Sequence, residues 1–146
     1  MAACLASVIQ AQTPKVEHFS TSDLLVKAQE LEATAKNGAA SVKLSEYPNH
    51  FTMVSLRHQT GNAEVHENFA DFFLVVEGTA TLLTGGTVQD PKTDLPGEIR
   101  GAAILNGTST TLHPGDVVHI PATIPHQLLV TKDSTFVYYV IKVKEK

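Results

Sequence analysis

The sequence predicts an all-β domain, a sandwich or barrel, with one helix before the strands. Short runs of strand-forming residues recur from Val42 to Val143, and turns rich in glycine and proline separate them. This spacing is typical of all-β sandwiches and barrels. The chain has 146 residues, the usual size of one domain, and 42% of them are hydrophobic. Such a chain can bury a core without cross-links.

A single helix is predicted just after residue 20. Ser20 or Ser22 can cap its first turn, and Asp23 suits the positive end of the helix dipole. Leucine and alanine then recur at helical spacing up to Ala35, and Asn37–Gly38 ends the pattern. The apolar stripe is narrow, so we expect the helix to lie on the outside of a larger body.

The strands are expected in nine segments with turns or loops between them. These segments are residues 42–44, 51–56, 72–76, 79–84, 102–105, 108–112, 116–120, 127–131 and 135–143. Gly85–Gly86 and Asn106–Gly107 are interpreted as hairpin turns. Residues 89–101 hold two prolines and two glycines, so they are predicted to form a loop.

Charge and hydropathy exclude two classes of partner. The formal net charge is -4 and the pI is about 5.9, whereas nucleic-acid binding needs clustered Lys and Arg. Lys142, Lys144 and Lys146 alternate with other residues, and we interpret them as a solvated strand end. No apolar run approaches the ~20 residues of a membrane span. We therefore expect neither nucleic acid nor a membrane as a partner.

Residues 1–13 differ in composition from the rest of the chain. They are apolar and rich in small residues, like the end of a secretory signal peptide, although a positively charged start is missing. The alternatives are an N-terminal strand or a disordered tail. We interpret residues 1–13 as a signal-peptide remnant or tail and residues 14–146 as one domain. This interpretation favours a periplasmic or secreted location over the cytoplasm, and Cys4, the single cysteine, lies inside the segment.

Two histidine-containing clusters carry the chemistry. In the first, Glu64-Val-His66 precedes Asp71, and six residues separate Asp71 from Gly78. In the second, residues 113–127 read HPGDVVHIPATIPHQ and end at His126 and Gln127. Both clusters resemble the two motifs of the cupin superfamily, as found in small single-domain (RmlC-like) cupins, and they cover about a third of the chain. The resemblance implies a jelly-roll barrel, the double-stranded β-helix, with one N-terminal helix.

The first motif departs from the family pattern, which has two histidines separated by one residue. If His66 is the first of the pair, Asn68 stands in place of the second. If His66 is the second, Glu64 stands in place of the first, and four residues separate His66 from Asp71. We prefer the second register, because it leaves residues 67–70 as a hairpin turn. In either register strand alternation keeps His66 pointing inward.

The resemblance implies a divalent metal site made of Glu64, His66, Asp71 and His126. Imidazoles and carboxylates together suit Mn, Fe, Ni or Zn and leave coordination positions open. The alternative is that His66 and Asp71 form a buried ion pair in a cupin that has lost its metal. His119 in the second motif is expected to pack in the core or against the metal ligands rather than to bind metal.

Two other positions are candidates for contact with a ligand. Tyr138 and Tyr139 are neighbours in the last strand, so one must point inward and the other outward. The inward tyrosine can donate a hydrogen bond to a ligand, although a packed and satisfied side chain is the default. Arg100 in the predicted loop can bind a substrate carboxylate if the loop covers one end of the barrel.

Fold alone does not give function, so we carry two hypotheses. The first is a metal-dependent enzyme (oxygenase, lyase or isomerase type) that acts on a small polar organic substrate, with Asp71 or Glu64 as general base if it is not a ligand. The second is a non-catalytic module that binds or senses a small ligand. The incomplete first motif favours the second hypothesis, but of the two we favour the enzyme slightly. The resemblance also implies a homodimer.

Overall fold

The computed structural model describes residues 15–145, which form one α-helix, one short 3₁₀ helix and thirteen strands. The helix α1 spans Thr21–Leu31, and the 3₁₀ helix spans Glu32–Thr34. The strands are β1 Ala39–Glu46, β2 His50–Arg57, β3 Ala63–His66, β4 Phe69–Glu77, β5 Ala80–Thr84, β6 Thr87–Val88, β7 Lys92–Leu95, β8 Glu98–Gly101, β9 Ile104–Leu105, β10 Thr108–Leu112, β11 Val117–Ile120, β12 His126–Leu129 and β13 Phe136–Lys144. The interpretation of residues 1–13 as a leader or tail lies outside the described residues.

The strands form two antiparallel sheets and one short ribbon. One sheet has the order β1-β2-β13-β4-β11 and the other has the order β10-β5-β12-β3-β8-β7, while β6 pairs with β9. Consecutive strands β3 and β4 lie in different sheets, and so do β4 and β5. The chain therefore passes repeatedly from one sheet to the other, and the two motifs meet between the sheets.

A hydrophobic core fills the space between the two sheets. Its members are mostly aromatic and branched side chains on the inner faces: Phe73, Val75, Leu82, Leu112, Ile120, Leu128, Val130, Phe136, Tyr138 and Val140. Phe136 is fully buried. Burial on this scale is the main stabilising contribution to such a fold. The core occupies one part of the interior, and polar residues of the same strands occupy another.

The helix α1 packs on the outer face of the five-stranded sheet, as its narrow stripe predicts. Leu24, Ala28 and Leu31 are buried against residues of β2 that include Leu56. Ser20 is the N-cap, and its side chain accepts a hydrogen bond from the N–H of Asp23. In return the Ser20 N–H donates to the Asp23 carboxylate at 2.8 Å. This capping box fixes where the helix begins.

Two sequence expectations about turns are wrong. Residues 89–101 do not form a loop, because β7 and β8 pair there as a hairpin whose turn is Pro96–Gly97, with Gly97 at φ +80°. Its prolines lie outside the strands, at the turn and before β7, where no ladder hydrogen bond is lost. Gly85–Gly86 and Asn106–Gly107 are not hairpin turns either. They face each other across a bend, since β5 pairs with β10 on one side of it and β6 pairs with β9 on the other.

Within residues 15–145 no helix has the length and apolar character needed to cross a membrane.

Candidate metal centre

Three of the four predicted ligands are placed by two paired strands. Glu64 and His66 lie on β3 at alternate positions, so both side chains point between the sheets. His126 is the first residue of β12, and its Cα is paired directly with that of Glu64. The turns around residues 121–125 bring the second motif to this position, and the Thr123 N–H donates to the His66 carbonyl at 2.8 Å.

The fourth predicted ligand, Asp71, comes from the opposite sheet. The two-residue link Glu67–Asn68 carries the chain from β3 into β4, where Asp71 points back towards His66. Residues 67–70 are therefore not the hairpin turn that the sequence suggests, because β3 and β4 do not pair with each other. Of the two candidates for the missing histidine's place, Glu64 lies in the cluster. Asn68 lies instead beside Gly97 and lines a separate surface cavity.

The four side chains converge on one point. His66 Nε2 lies 3.5 Å from Glu64 Oε2 and 3.4 Å from Asp71 Oδ2. His126 Nε2 lies 3.7 Å from each of the same two oxygens. His66, Asp71 and His126 are each about 3% exposed, whereas the Glu64 side chain is 22% exposed. The cluster therefore lies inside the protein and is reached from the side of Glu64.

Each histidine presents its Nε2 atom to this point without a hydrogen-bond partner. Among residues 15–145, the Nε2 atoms of His66 and His126 are two of three buried side-chain polar atoms that lack one. The opposite nitrogens are occupied: His66 Nδ1 lies 2.6 Å from Glu98 Oε2, and His126 Nδ1 lies 3.0 Å from the Ile124 carbonyl oxygen. A carboxylate and a carbonyl only accept, so both Nδ1 atoms donate. In the neutral imidazole, the form that binds a metal, this tautomer leaves a lone pair on Nε2.

The charges around the cluster lower the pKa of Glu64 and raise the pKa of His66. Burial tends to raise the pKa of Glu64, but the close His66 imidazole and the charges of Arg100 and Arg57 outweigh it and lower the pKa to about 2. Burial tends to lower the pKa of His66, but the Asp71 and Glu64 carboxylates outweigh it and raise the pKa to about 9. Both residues are therefore charged at neutral pH when no metal is bound.

Asp71 and His126 complete the electrostatic description. Burial tends to raise the pKa of Asp71, but the close His66 imidazole and the nearby Lys142 ammonium lower it overall. Burial lowers the pKa of His126 and keeps the imidazole neutral. His126 can therefore offer its lone pair to a metal without first losing a proton.

The donor set fits a divalent metal ion. The ligand atoms of Glu64, His66 and His126 all lie within 4.8 Å of one another. Two ligands bound at about 2.1 Å to a common ion lie no more than about 4.2 Å apart, and the four distances from an imidazole nitrogen to a carboxylate oxygen, 3.4–3.7 Å, satisfy this limit. Imidazole and carboxylate donors suit Mn, Fe, Ni and Zn.

A second group of charged side chains surrounds the cluster. Arg100 Nη2 lies 3.0 Å from Glu98 Oε2 and its Nε lies 3.8 Å from Glu64 Oε1. Arg57 Nη2 lies 3.7 Å from the same Glu64 oxygen. Lys142 Nζ donates to Asp71 Oδ1 at 2.6 Å and is only 15% exposed. The expectation that Lys142 is solvated is therefore wrong.

Sequence analysis missed Glu98, Arg57 and Lys142 as parts of the site. A signal for Lys142 was present, because it lies four residues after Tyr138 on the same strand and therefore on the same face. Tyr138 is the inward tyrosine and is 5% exposed, while Tyr139 packs towards the helix on the other face. Glu98 and Arg100 were assigned to a loop, which gave no basis for pointing either side chain inward.

A cavity of about 200 Å³ connects the cluster to the solvent. Its lining contains Glu64, His66 and Asp71 on one side, together with hydroxyl-bearing, cationic and apolar side chains: Ser41, Met53, Ser55, Arg57, Phe73, Arg100, Tyr138, Val140 and Lys142. Arg57 Nε donates to the Tyr138 hydroxyl oxygen at 3.0 Å. The cavity is small and polar, and it lies beside the converging Nε2 atom of His66.

The remaining histidines lie outside this cluster. His119 is exposed and stacks on Phe72 with ring centroids 4.2 Å apart, so the expectation that it packs in the core is wrong. The cause is register: His119 pairs with Phe72, and both face outward, whereas Phe73 faces the core. His58 bonds to Glu32 and the Ser134 carbonyl at the helix end, away from the cavity.

Comparison with known proteins shows the fold. No family model matches the sequence, and no curated protein matches it. A protein with a double-stranded β-helix domain from Klebsiella pneumoniae has a TM-score of 0.60 at 16% identity, over 89% of this chain and 91% of that one. The cupin domain of Cnp3 from Schizosaccharomyces pombe has a TM-score of 0.54 at 9% identity, over 73% of this chain and 61% of that one. The chain has a cupin fold. The predicted jelly-roll barrel with one N-terminal helix is confirmed.

Another structure with this cupin fold is a DMSP lyase from Ruegeria pomeroyi. Its TM-score is 0.54 at 18% identity, and the match covers 75% of this chain. The chain spans about half of the length of that lyase, since the match covers 48% of it. At this level of identity the cupin likeness concerns the fold, and the function must be argued from the site.

Proposed function

We propose that this chain is a metal-dependent enzyme that acts on a small polar organic substrate. Glu64, His66 and His126 are the ligands, and Asp71 supplies a fourth. The observation that carries the proposal is the pair of buried Nε2 atoms, which point at the same carboxylate oxygens without a hydrogen bond. An unpaired buried polar atom is costly, and a shared cation would satisfy both at once.

The alternative of a simple ion pair between His66 and Asp71 fits the distances less well. Charge-assisted hydrogen bonds are about 2.7–2.9 Å long, and the outer contacts of this site are short, with Lys142 to Asp71 and His66 to Glu98 both at 2.6 Å. The inner contact of His66 with Asp71 is 3.4 Å. The inner atoms are thus held apart at a separation that favours an ion between them.

Asp71 remains the predicted fourth ligand, with a constrained geometry. Its Oδ1 accepts the bond from Lys142, while Oδ2 faces His66 and His126. Lys142 therefore orients the carboxylate and leaves one oxygen for the metal. Glu98 plays the corresponding part for His66, because it holds the ring in the tautomer that leaves Nε2 free.

A divalent ion at this position would polarise a carbonyl group or activate oxygen. The protein's own groups would bind and orient the substrate in the cavity, with the Arg57 guanidinium, the Tyr138 hydroxyl and the Lys142 ammonium as donors. Val140 and Phe73 line the cavity on the core side and exclude water there. The fold relative from Ruegeria pomeroyi, a DMSP lyase, supports a lyase as one of the reaction types to be screened.

Elemental analysis of untagged protein tests the proposal. We expect near-stoichiometric Mn, Fe, Ni or Zn in the wild type and its loss in His66→Ala and in His126→Ala. His119→Ala is the matched control, because this histidine is exposed, and it should keep the metal. Wild-type protein that stays metal-free after incubation with each ion would refute the proposal. Retention of metal by both active-site variants would refute the ligand assignment.

A non-catalytic binding module is the second candidate. The observation that favours it is that the carboxylates already have cationic partners: Asp71 with Lys142 at 2.6 Å and Glu98 with Arg100 at 3.0 Å. Carboxylates held in this way are weaker general bases. Ligand binding that survives in metal-free His126→Ala, together with no turnover by the metal-loaded wild type, would support this candidate over the enzyme.

A further inference from the structure

The carboxylates and the cationic side chains that surround the metal ligands balance one another in charge. Three carboxylates and three cationic groups lie in contact around it: Glu64, Asp71 and Glu98, and Arg57, Arg100 and Lys142. Three negative and three positive charges sum to zero when both histidines are neutral, as they must be when they bind metal. The acidic groups of this site are therefore matched by the protein itself.

With neutral imidazoles as ligands, a bound divalent ion would leave the site with a net charge of two positive units. In a site whose two ligand carboxylates had no cationic partners, the carboxylates would cancel the charge of the ion. Here Lys142 lies 2.6 Å from Asp71, and both arginines approach Glu64 within 4 Å. The excess of two positive charges would lie in a largely buried region, where an uncompensated charge is costly. The loaded site therefore requires anions from solution.

The shape of the cavity indicates where such an anion would lie. Arg57 lines it beside the ligands, with its Nε donating to the Tyr138 hydroxyl oxygen and its Nη2 3.7 Å from Glu64 Oε1. The hydroxyl groups of Ser41 and Ser55, 2.8 Å apart, lie on the same wall. A guanidinium group presents a planar pair of donors that matches the two oxygens of a carboxylate.

The volume of the cavity limits the size of the ligand. Water in the liquid occupies about 30 Å³ per molecule, so a cavity of about 200 Å³ corresponds to roughly seven water molecules. Arg57, Arg100 and Lys142 are between 15% and 28% exposed, so they lie with Glu64, which is 22% exposed, at the opening of the cavity. A ligand of this size would touch the metal ligands and the cationic wall at the same time.

We propose that the ligand of this cavity is a small carboxylate anion, held between the metal on one side and the Arg57 guanidinium on the other. Lys142 and Arg100 add attraction at the mouth of the cavity. This inference rests on the proposed function, because it is the charge of the bound metal that makes the anion necessary. It adds to that function a substrate class and a specificity-determining residue, Arg57.

Calorimetry on manganese-loaded protein tests this inference with two probes of nearly equal shape, malonate and its neutral diamide, malonamide. We expect malonate to bind at least about tenfold more tightly than malonamide, as the loss of a charge-assisted contact implies. Arg57→Gln should weaken malonate binding about ten- to a hundredfold and leave malonamide nearly unchanged. Arg57→Lys, which keeps the charge without the planar fork, should give a smaller loss.

The control variant is Lys132→Gln, which removes one positive charge at an exposed position outside the cavity. It should bind malonate like the wild type. Metal content is measured after each titration, so that a failure of the proposed metal site can be distinguished from a failure of the carboxylate inference. Protein that binds no manganese is loaded with Fe, Ni or Zn instead, and protein that binds none of the four ions refutes the proposed function. Protein that retains manganese and binds both probes equally refutes the carboxylate inference alone, and this comparison needs only the wild type.

Discussion

The contact between Glu98 and His66 gives a sharp prediction about metal affinity. At 2.6 Å, Glu98 Oε2 accepts a charge-assisted hydrogen bond from His66 Nδ1, a class that is worth about 1.5–3 kcal/mol. Glu98→Ala removes the acceptor, so the ring loses both its orientation and the tautomer that frees Nε2. We therefore expect metal affinity to fall about ten- to a hundredfold, which corresponds to roughly 1.4–2.7 kcal/mol.

Two further variants make this prediction specific. Glu98→Gln keeps an acceptor oxygen, so it should lose less affinity than Glu98→Ala. Glu77→Ala removes an exposed carboxylate at the end of β4 and should have no effect. The assay is competition for zinc with a chromophoric chelator at fixed pH. Unchanged affinity in Glu98→Ala would refute the claim that an outer carboxylate holds His66 ready for a metal.

Three more predictions follow from the same geometry. Lys142→Met should lower the free energy of unfolding of the metal-free protein by about 3 kcal/mol, because the buried Asp71 carboxylate loses the cation that contacts it at 2.6 Å; an unchanged urea midpoint would contradict this. Metal affinity should rise about tenfold per pH unit between pH 6.5 and 8.5, because the pKa of His66 is raised to about 9 and the metal must displace its proton; a flat profile by chelator competition would show that His66 is not a ligand. Gly78→Ala should be far more destabilising than Gly115→Ala by thermal unfolding. Both glycines have φ near +90°, but a methyl group at Gly78 would collide with a backbone carbonyl, whereas Gly115 has open space around it. Equal losses of thermal stability in the two variants would contradict this prediction and would mean that the positive φ, rather than the collision, determines the destabilisation.

Much of the fold was predictable because local patterns and global packing agree. Regular strand spacing with glycine and proline between the strands indicated the barrel, and Ser20 with Asp23 marked the start of the helix where the capping box forms. The turns were less predictable. Gly85–Gly86 has the composition of a hairpin turn, yet it forms a bend opposite Asn106–Gly107, since the strand partners come from distant parts of the chain. Pairing of that kind is set by tertiary packing rather than by local sequence.

The sequence predicted the four candidate ligands at the centre of the site but not the charged side chains that surround them. The motif resemblance indicated Glu64, His66, Asp71 and His126, and the structure brings these four together. Their role as metal ligands stays a prediction, as does the homodimer. Glu98 was missed because it reaches His66 only through a hairpin that pairs with β3. No spacing rule predicts a contact between residues 32 positions apart in different strands.

Anomalous diffraction from crystals grown with manganese or zinc, recorded at the absorption edge of the metal, tests the central claim most directly. The account predicts one strong anomalous peak within bonding distance of His66 Nε2, His126 Nε2 and Glu64 Oε2, with Asp71 Oδ2 facing it. A map without a peak between the two imidazoles, or with metal only at surface sites, would contradict the account. The buried imidazoles would then belong to a cupin barrel that works without a metal.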